Sequence, residues 1–213
     1  MKATIAFAFA MAAVPFVVGA EDVDLDELRA RVAKYQDVEV ALADGYINPD
    51  NHCVSAAGEG LPPELGAMGI HFIHPALLEI TATEPRVSGN GTHLDFLRPS
   101  VLVYVPDESG TLRLGAVENL VWEDAWRAAG NEGPPEFHGY QYWHRIDNPL
   151  TAHADEAHMF EPHYELHMWL YEENPAGIFA QHNPRVSCDD HDGPKTLAEA
   201  MALMSADPPA ADR

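Results

Sequence analysis

The chain has 213 residues, of which 12 are Lys or Arg and 34 are Asp or Glu, so its formal net charge is -22 at pH 7. A surface this negative repels phosphate backbones and anionic lipid headgroups, so the composition disfavours nucleic acid and a membrane surface as partners. The chain also has 12 histidines, and imidazoles beside many carboxylates provide abundant groups that bind metal ions.

The beginning of the chain has the features of a secretory signal peptide. Lys2 precedes an apolar run that contains Pro15, and Val18 and Ala20 occupy the -3 and -1 positions of a signal-peptidase site. A membrane anchor is the alternative, but the run is at the short limit for a span and acidic residues follow it. We therefore predict a signal peptide over residues 1–20 and a secreted or periplasmic protein.

Residues 21–193 are predicted to form one α+β domain. Apolar residues recur in steps of three and four between residues 23 and 42, which predicts an amphipathic helix. Residues 46–66 contain several Pro and Gly and are predicted to be a loop. Residues 194–213 are predicted to form a short helix and a disordered tail, since the end of the chain is rich in Ala and Pro without periodicity.

The middle of the chain predicts antiparallel strands. A short apolar run over residues 68–75 ends at a proline, and residues 100–106 and 111–122 flank a turn that contains Gly110. Residues 123–130 are predicted to form one or two helical turns. Because one helix precedes antiparallel hairpins, we predict an N-terminal amphipathic helix packed on a curled, mainly antiparallel sheet.

Residues 162–171 alternate in character, which favours a strand with His163, Glu165 and His167 on one face. A helix is the alternative, and it would place the two histidines four residues apart, where both could bind one ion. On a strand they stand about 13 Å apart. Either histidine could then share an ion with Glu165 instead.

Glu118 is the one charged residue on an otherwise apolar face of the predicted strand 111–122. A buried carboxylate is normally paired or bound to a metal; the alternatives are a buried ion pair or a bulge that turns Glu118 outward. His71 lies within another apolar strand. We predict a mononuclear site for divalent Zn, Fe or Cu that consists of His71, Glu118 and His167, with His163 nearby.

Several functions are compatible with such a chain. Three protein ligands leave a position for water or substrate, and the sequence does not distinguish a metalloenzyme from a metal carrier. An alternative is a secreted binding module for a small ligand, and another is a structural envelope protein without a ligand. The aromatic residues that would line the small-ligand pocket are Tyr140, Tyr142, Trp143, Trp169 and Tyr171.

The two cysteines, Cys53 and Cys188, are predicted to form a disulfide, because an even count is typical of chains from oxidising compartments. Closing so long a loop contributes about 4–5 kcal/mol in the chain-entropy model. A rival interpretation combines both thiols with His52 and His191 in a zinc site, although the spacings are not those of a zinc ribbon.

The segments "HYELHMWLYEENPAGIFAQHNPRVSC", "MGIHFIHPAL" and "LGAVENLVW" resemble a family of small secreted bacterial proteins of unassigned function. The pattern "YQDVEVALADGY" and an ending like NPAGxFAxxNPxVxC belong to the same resemblance. It covers most of the chain after the signal peptide. The resemblance implies export, a single domain and a bond between Cys53 and Cys188, and it implies no activity.

Overall fold

The computed structural model describes residues 24–150 and 156–193. The predicted signal peptide and the predicted C-terminal helix and tail therefore lie outside the described residues. Within the described ranges, no helix has the length and apolar character that crossing a bilayer requires.

The predicted helix over residues 23–42 is present as two short helices joined by a tighter turn. Asp24 caps the first by accepting a hydrogen bond from the Glu27 amide, and Asp37 caps the second by accepting one from the Glu39 amide. The extended backbone of Asp37 interrupts the helix, because an N-cap residue has non-helical dihedral angles. The three helical elements are α1 (Leu25–Val32), a 3₁₀-helix (Ala33–Gln36) and α2 (Val38–Ala43).

The predicted strands are confirmed, and the predicted loop over residues 46–66 contains an additional short strand. The strands of the described ranges are β1 (Cys53–Ser55), β2 (Ala67–Ile73), β3 (Ile80–Ala82), β4 (Ser88–Gly89), β5 (Val101–Pro106), β6 (Leu112–Trp122), β7 (Glu136–Phe137), β8 (Tyr140–Gln141), β9 (Trp143–Arg145) and β10 (His163–Trp169). Three short helical elements lie between them: a 3₁₀-helix (Pro63–Leu65), α3 (Pro75–Leu78) and α4 (Glu123–Ala128).

Six strands form one curled antiparallel sheet in the order β1-β2-β5-β6-β10-β9. The pairs β3–β4 and β7–β8 form two smaller sheets. The α+β class and the curled antiparallel sheet are therefore confirmed. The long central strands β6 and β10 lie side by side, so residues on one face of both can contribute to a common site.

Both faces of β10 are buried. The helical segments pack near one face of the sheet, where the Tyr104 hydroxyl donates to the Tyr35 carbonyl at 2.7 Å and the Gln36 amide donates to the Leu114 carbonyl at 3.3 Å. Glu118 and His167 are directly opposite each other on β6 and β10. Their side chains are fully buried, so the polar face of β10 is enclosed as well.

Gly69 allows β2 to approach β5 closely. Its φ of +115° is a conformation that side chains disfavour, and a Cβ atom there would lie 2.4 Å from the carbonyl oxygen of Tyr104. Only glycine fits this position without displacing a strand. Because His71 follows two residues later, the close approach at Gly69 helps to fix where His71 enters the sheet.

The predicted disulfide is confirmed: Cys53 and Cys188 are bonded, with their Cα atoms 5.8 Å apart. The bond uses both thiols, so the rival zinc site with His52 and His191 is wrong. The His191 ring instead donates from Nε2 to the Asn51 carbonyl at 2.8 Å. The bond ties β1 to the end of the described chain.

Candidate metal centre

His71, Glu118 and His167 meet in the interior, as the sequence predicted. Nε2 of His71 and Nε2 of His167 lie 3.2 and 3.1 Å from the same Glu118 oxygen, Oε2. The two nitrogen atoms are 3.4 Å apart. Three potential ligand atoms therefore form a nearly equilateral triangle.

The curl of the sheet brings this triangle together. His71 is on β2 and His167 is on β10, with β5 and β6 between them. Three interstrand steps on a flat sheet would separate the backbones of these two strands by about 14 Å. The observed 3.4 Å between the Nε2 atoms therefore requires a strongly curved sheet with both rings on its concave side.

Glu118 is a buried carboxylate that accepts no hydrogen bond from a main-chain amide, Lys or Arg in the described part of the chain. Its neighbours at ion-pair distance there are the two imidazoles. The strand is regular at this point, with Glu118 opposite Val101 and His167, and the irregularity of the β5–β6 pair lies at Val103 and Tyr104. The outward bulge is therefore not observed in the described ranges, whereas a buried ion pair forms with His71 when that ring is protonated.

The dimensions of the triangle fit a metal ion. Ligand atoms in a tetrahedral complex are separated by about 1.63 bond lengths, so bonds of about 2.0–2.1 Å place them about 3.3–3.4 Å apart. The observed edges of 3.1–3.4 Å are close to that spacing. An ion above the triangle would contact one oxygen and two nitrogens and retain a free fourth position.

Burial and the nearby carboxylates set the protonation of the imidazoles. Burial lowers the pKa of His167 and lowers the pKa of His158 much further. Burial also acts to lower the pKa of His71, but the contact with Glu118 and its charge outweigh burial, and the pKa of His71 is raised. A proton taken up by the first triangle is therefore favoured on His71 over His167.

A second group of ligands lies beside the first. Nε2 of His158 and Nε2 of His163 are 3.1 and 3.2 Å from one oxygen of Glu165, Oε2, and all three residues are buried. The His71 ring stacks on the His158 ring with their centroids 5.2 Å apart, which joins the two groups. His163, predicted to lie near the first triangle, faces Glu165 rather than Glu118.

The sequence only partly indicated this second group. His163 and Glu165 are two residues apart on one strand face, so their proximity followed from the alternation of β10. His158 was missed, because it lies in a turn outside any periodic segment. Its placement depends on how the chain folds back before β10.

Glu165 is held by a network of buried side chains. Its other oxygen, Oε1, accepts a hydrogen bond from the Gln181 amide at 3.0 Å and lies 3.3 Å from the Arg145 guanidinium. Arg145 also contacts Glu59, which lies 2.8 Å from His182 Nε2. Burial acts to raise the pKa of Glu165, but the charge of Arg145 and the contacts with His158 and His163 hold that pKa well below its usual range.

The buried charges in this region do not cancel. The buried charged side chains of the described residues are three carboxylates, Glu59, Glu118 and Glu165, and one guanidinium, Arg145. With neutral imidazoles, two negative charges remain in the interior. One divalent cation would balance them, whereas without it protons must be taken up by the histidines.

The aromatic residues proposed for a small-ligand pocket do not share one surface. Tyr142 and Trp169 are buried at 3% exposure, and Tyr140 and Trp143 are about half exposed at 49% and 51%. Two surface cavities, of about 460 and 220 Å³, are lined by other residues. The structure therefore favours the buried His and Glu groups as the candidate site.

Comparisons of the chain with protein-family models, with curated proteins and with solved structures find no match. The functional conclusion therefore rests on the geometry of the site.

Proposed function

We propose that this protein binds a divalent metal ion through His71, Glu118 and His167 and acts as a metalloenzyme or a metal carrier. The observation that carries the proposal is the state of Glu118. Its carboxylate is fully buried, makes no hydrogen bond to a main-chain amide or to a Lys or Arg side chain among the described residues, and lies 3.1–3.2 Å from two imidazole nitrogens. A cation bound by these three atoms would compensate for the loss of hydration.

The ligand set limits the identity of the ion. Imidazole and carboxylate ligands suit zinc, iron and copper, and two histidines with one carboxylate occur in both zinc and non-haem iron sites. A bound ion would supply a Lewis acid that activates water at the fourth position. His71 is the least enclosed of the three ligands, with 6% of its surface exposed, whereas Glu118 and His167 have none exposed.

The direct test compares metal binding by variants of the three ligands. The wild-type protein, expressed without an affinity tag, is stripped with a chelator and dialysed against zinc. The variants His71→Gln, Glu118→Gln and His167→Gln are each expected to bind one zinc ion fewer per chain than the wild type, as measured by elemental analysis. Removing one of three ligands eliminates a bond that the remaining residues cannot replace.

The matched control is His191→Gln, a substitution of a buried histidine whose ring nitrogen bonds to the Asn51 carbonyl. It should retain the wild-type zinc content. Circular dichroism checks that each variant is folded. Equal zinc content in all five proteins, or no zinc in the wild type after reloading, would contradict the proposal.

Zinc affinity is expected to fall as the pH is lowered. Protons compete with the ion for the ring nitrogens, and an unperturbed histidine titrates near pH 6.5. Because the pKa of His71 is raised by Glu118 although burial opposes this, the weakening should begin above that pH. Competition with a chelator of known affinity at about pH 8 and about pH 5.5 measures the change, which is expected to be at least about tenfold. An unchanged affinity would exclude histidine ligation.

We also propose that the chain is exported and that its leader is removed after Ala20. Two observations support export. Val18 and Ala20 occupy the −3 and −1 positions of a signal-peptidase site. Cys53 and Cys188 form a disulfide, which is typical of an oxidising compartment. After expression in an exporting host, intact mass spectrometry should find a chain that begins at Glu21 or within a few residues of it. A purified protein that retains Met1 would be the opposite result.

A further inference from the structure

The group formed by His158, His163 and Glu165 has a geometry that hydrogen bonds between neutral imidazoles and a carboxylate do not explain. His163 Nδ1 lies 2.8 Å from the Glu161 carbonyl oxygen. A carbonyl only accepts, so the proton of a neutral His163 is on Nδ1 and its Nε2 carries a lone pair. That lone pair faces Glu165 Oε2 at 3.2 Å.

Two acceptors cannot bond to each other directly. Either an additional proton or a cation must lie between His163 and Glu165. The same oxygen is also approached by Nε2 of His158 at 3.1 Å. Three ligand atoms from a turn and from β10 therefore point toward one place in the interior, as the atoms of the first triangle do.

The residues around Glu165 leave its Oε2 atom available to bind a cation. Arg145 and Gln181 contact Oε1, so Oε2 is turned to the two imidazoles. Glu59 pairs with Arg145 from the other side. Hydrogen bonds to the far oxygen of a ligating carboxylate, and from the far nitrogen of a ligating histidine, are typical of metal sites.

We propose that His158, His163 and Glu165 form a second site for a divalent metal ion, adjacent to the first. The stacking of the His71 ring on the His158 ring, with centroids 5.2 Å apart, makes the two sites neighbours. This site has its own ligands, so binding there does not require the first site to be filled. Its donor set of two imidazoles and one carboxylate is the same, so both sites take the same ions.

The two sites are expected to differ in affinity. One divalent cation balances the two uncompensated negative charges of the buried groups, and a second one exceeds them. Arg145 lies 3.3 Å from Glu165 and repels a cation there, whereas no such charge contacts Glu118 in the described ranges. The ion at Glu165 is therefore expected to bind about tenfold or more weakly than the ion at Glu118.

Equilibrium dialysis of the stripped protein against increasing free zinc tests the proposal. The wild type is expected to bind two ions per chain in two phases, and Glu165→Gln should lose the weaker phase and retain the tighter one. Glu118→Gln should show the converse loss. The matched control is Glu161→Gln, because Glu161 is exposed and contacts His163 only through its main-chain carbonyl; this variant should bind two ions.

Saturation of the wild type at one ion that Glu165→Gln retains, or retention of both ions by Glu165→Gln, would overturn the second site. If the wild type binds one ion and only Glu118→Gln loses it, the first site stands and the second does not. Failure of one proposal can therefore be distinguished from failure of the other. If Glu165→Gln does not fold, the decision rests on a cobalt titration of the wild type followed by visible absorption. Two spectral phases support the second site, and a single phase that ends at one equivalent rejects it.

Discussion

Replacing Glu118 by glutamine is expected to stabilise the metal-free protein and to remove most of its stabilisation by zinc. The buried carboxylate has no main-chain amide, Lys or Arg donor in the described ranges, so once its imidazole neighbours are neutral its loss should raise the free energy of unfolding by about 1–3 kcal/mol. Because Glu118 raises the pKa of His71, the comparison is made at increasing alkaline pH, where the gain should grow as His71 loses its proton and no ion pair is broken. Thermal unfolding in the presence of a chelator measures this gain.

With zinc bound, the wild type should become more stable than Glu118→Gln. At about 100 times the dissociation constant, an ion that binds only the folded state adds about 2.7 kcal/mol. For a chain of this size, that corresponds to a rise of roughly 5–10 °C in the melting temperature of the wild type. Glu118→Gln lacks the first site and therefore lacks this stabilisation. Glu118 should thus lower the stability of the metal-free protein and raise the stability of the zinc-bound protein.

Glu59→Gln is the informative control for this prediction. Glu59 is also buried, but it contacts Arg145 and lies 2.8 Å from His182 Nε2. Its substitution breaks a buried pair and leaves Arg145 paired with Glu165 alone, so it should destabilise the protein by about 3 kcal/mol. If Glu118→Gln destabilises the metal-free protein as strongly as Glu59→Gln does, Glu118 is a structural residue.

Removing the disulfide is expected to have the largest effect on stability. Cys53 and Cys188 are 135 residues apart in sequence, and a loop of that length contributes about 5 kcal/mol by restricting the unfolded chain. The double variant Cys53→Ser, Cys188→Ser should therefore melt roughly 10–20 °C below the wild type. Thermal unfolding of both proteins in a chelator-free, metal-free buffer provides the comparison.

A reductant that does not bind metals provides the control for the disulfide prediction. It should lower the melting temperature of the wild type toward that of the double variant and leave the double variant unchanged. A difference below about 1 kcal/mol between the two proteins would mean that the cross-link does not restrict the unfolded state as the chain-entropy model assumes.

Local patterns in the sequence predicted the strands that carry the site. The apolar face of β6 identified Glu118 as an unusual charge, and the alternation of β10 placed His163, Glu165 and His167 on one face. The rise of about 3.3 Å per residue also indicated that His163 and His167 are too far apart to share one ion, and the structure places them in two different groups. A period of two is a local property, so it can be read from neighbouring residues.

The helix prediction for residues 23–42 shows where local reasoning is weaker. Apolar periodicity continues through Asp37, so the sequence predicted one helix. The structure has two, because the Asp37 side chain accepts a hydrogen bond from the Glu39 amide and starts a new helix. A single capping residue has little effect on an averaged periodicity, yet it decides where the backbone leaves the helical conformation.

The sequence by itself determined the sheet class, the cysteine pair and which side chains share a strand face. Only the tertiary structure decided which faces meet. His71 reaches His167 because the sheet curls across β5 and β6, and His158 reaches Glu165 because a turn folds back before β10. Arg145 and Glu59, 86 residues apart, join the same network. Curvature and chain reversals depend on contacts between distant segments, which periodicity does not encode.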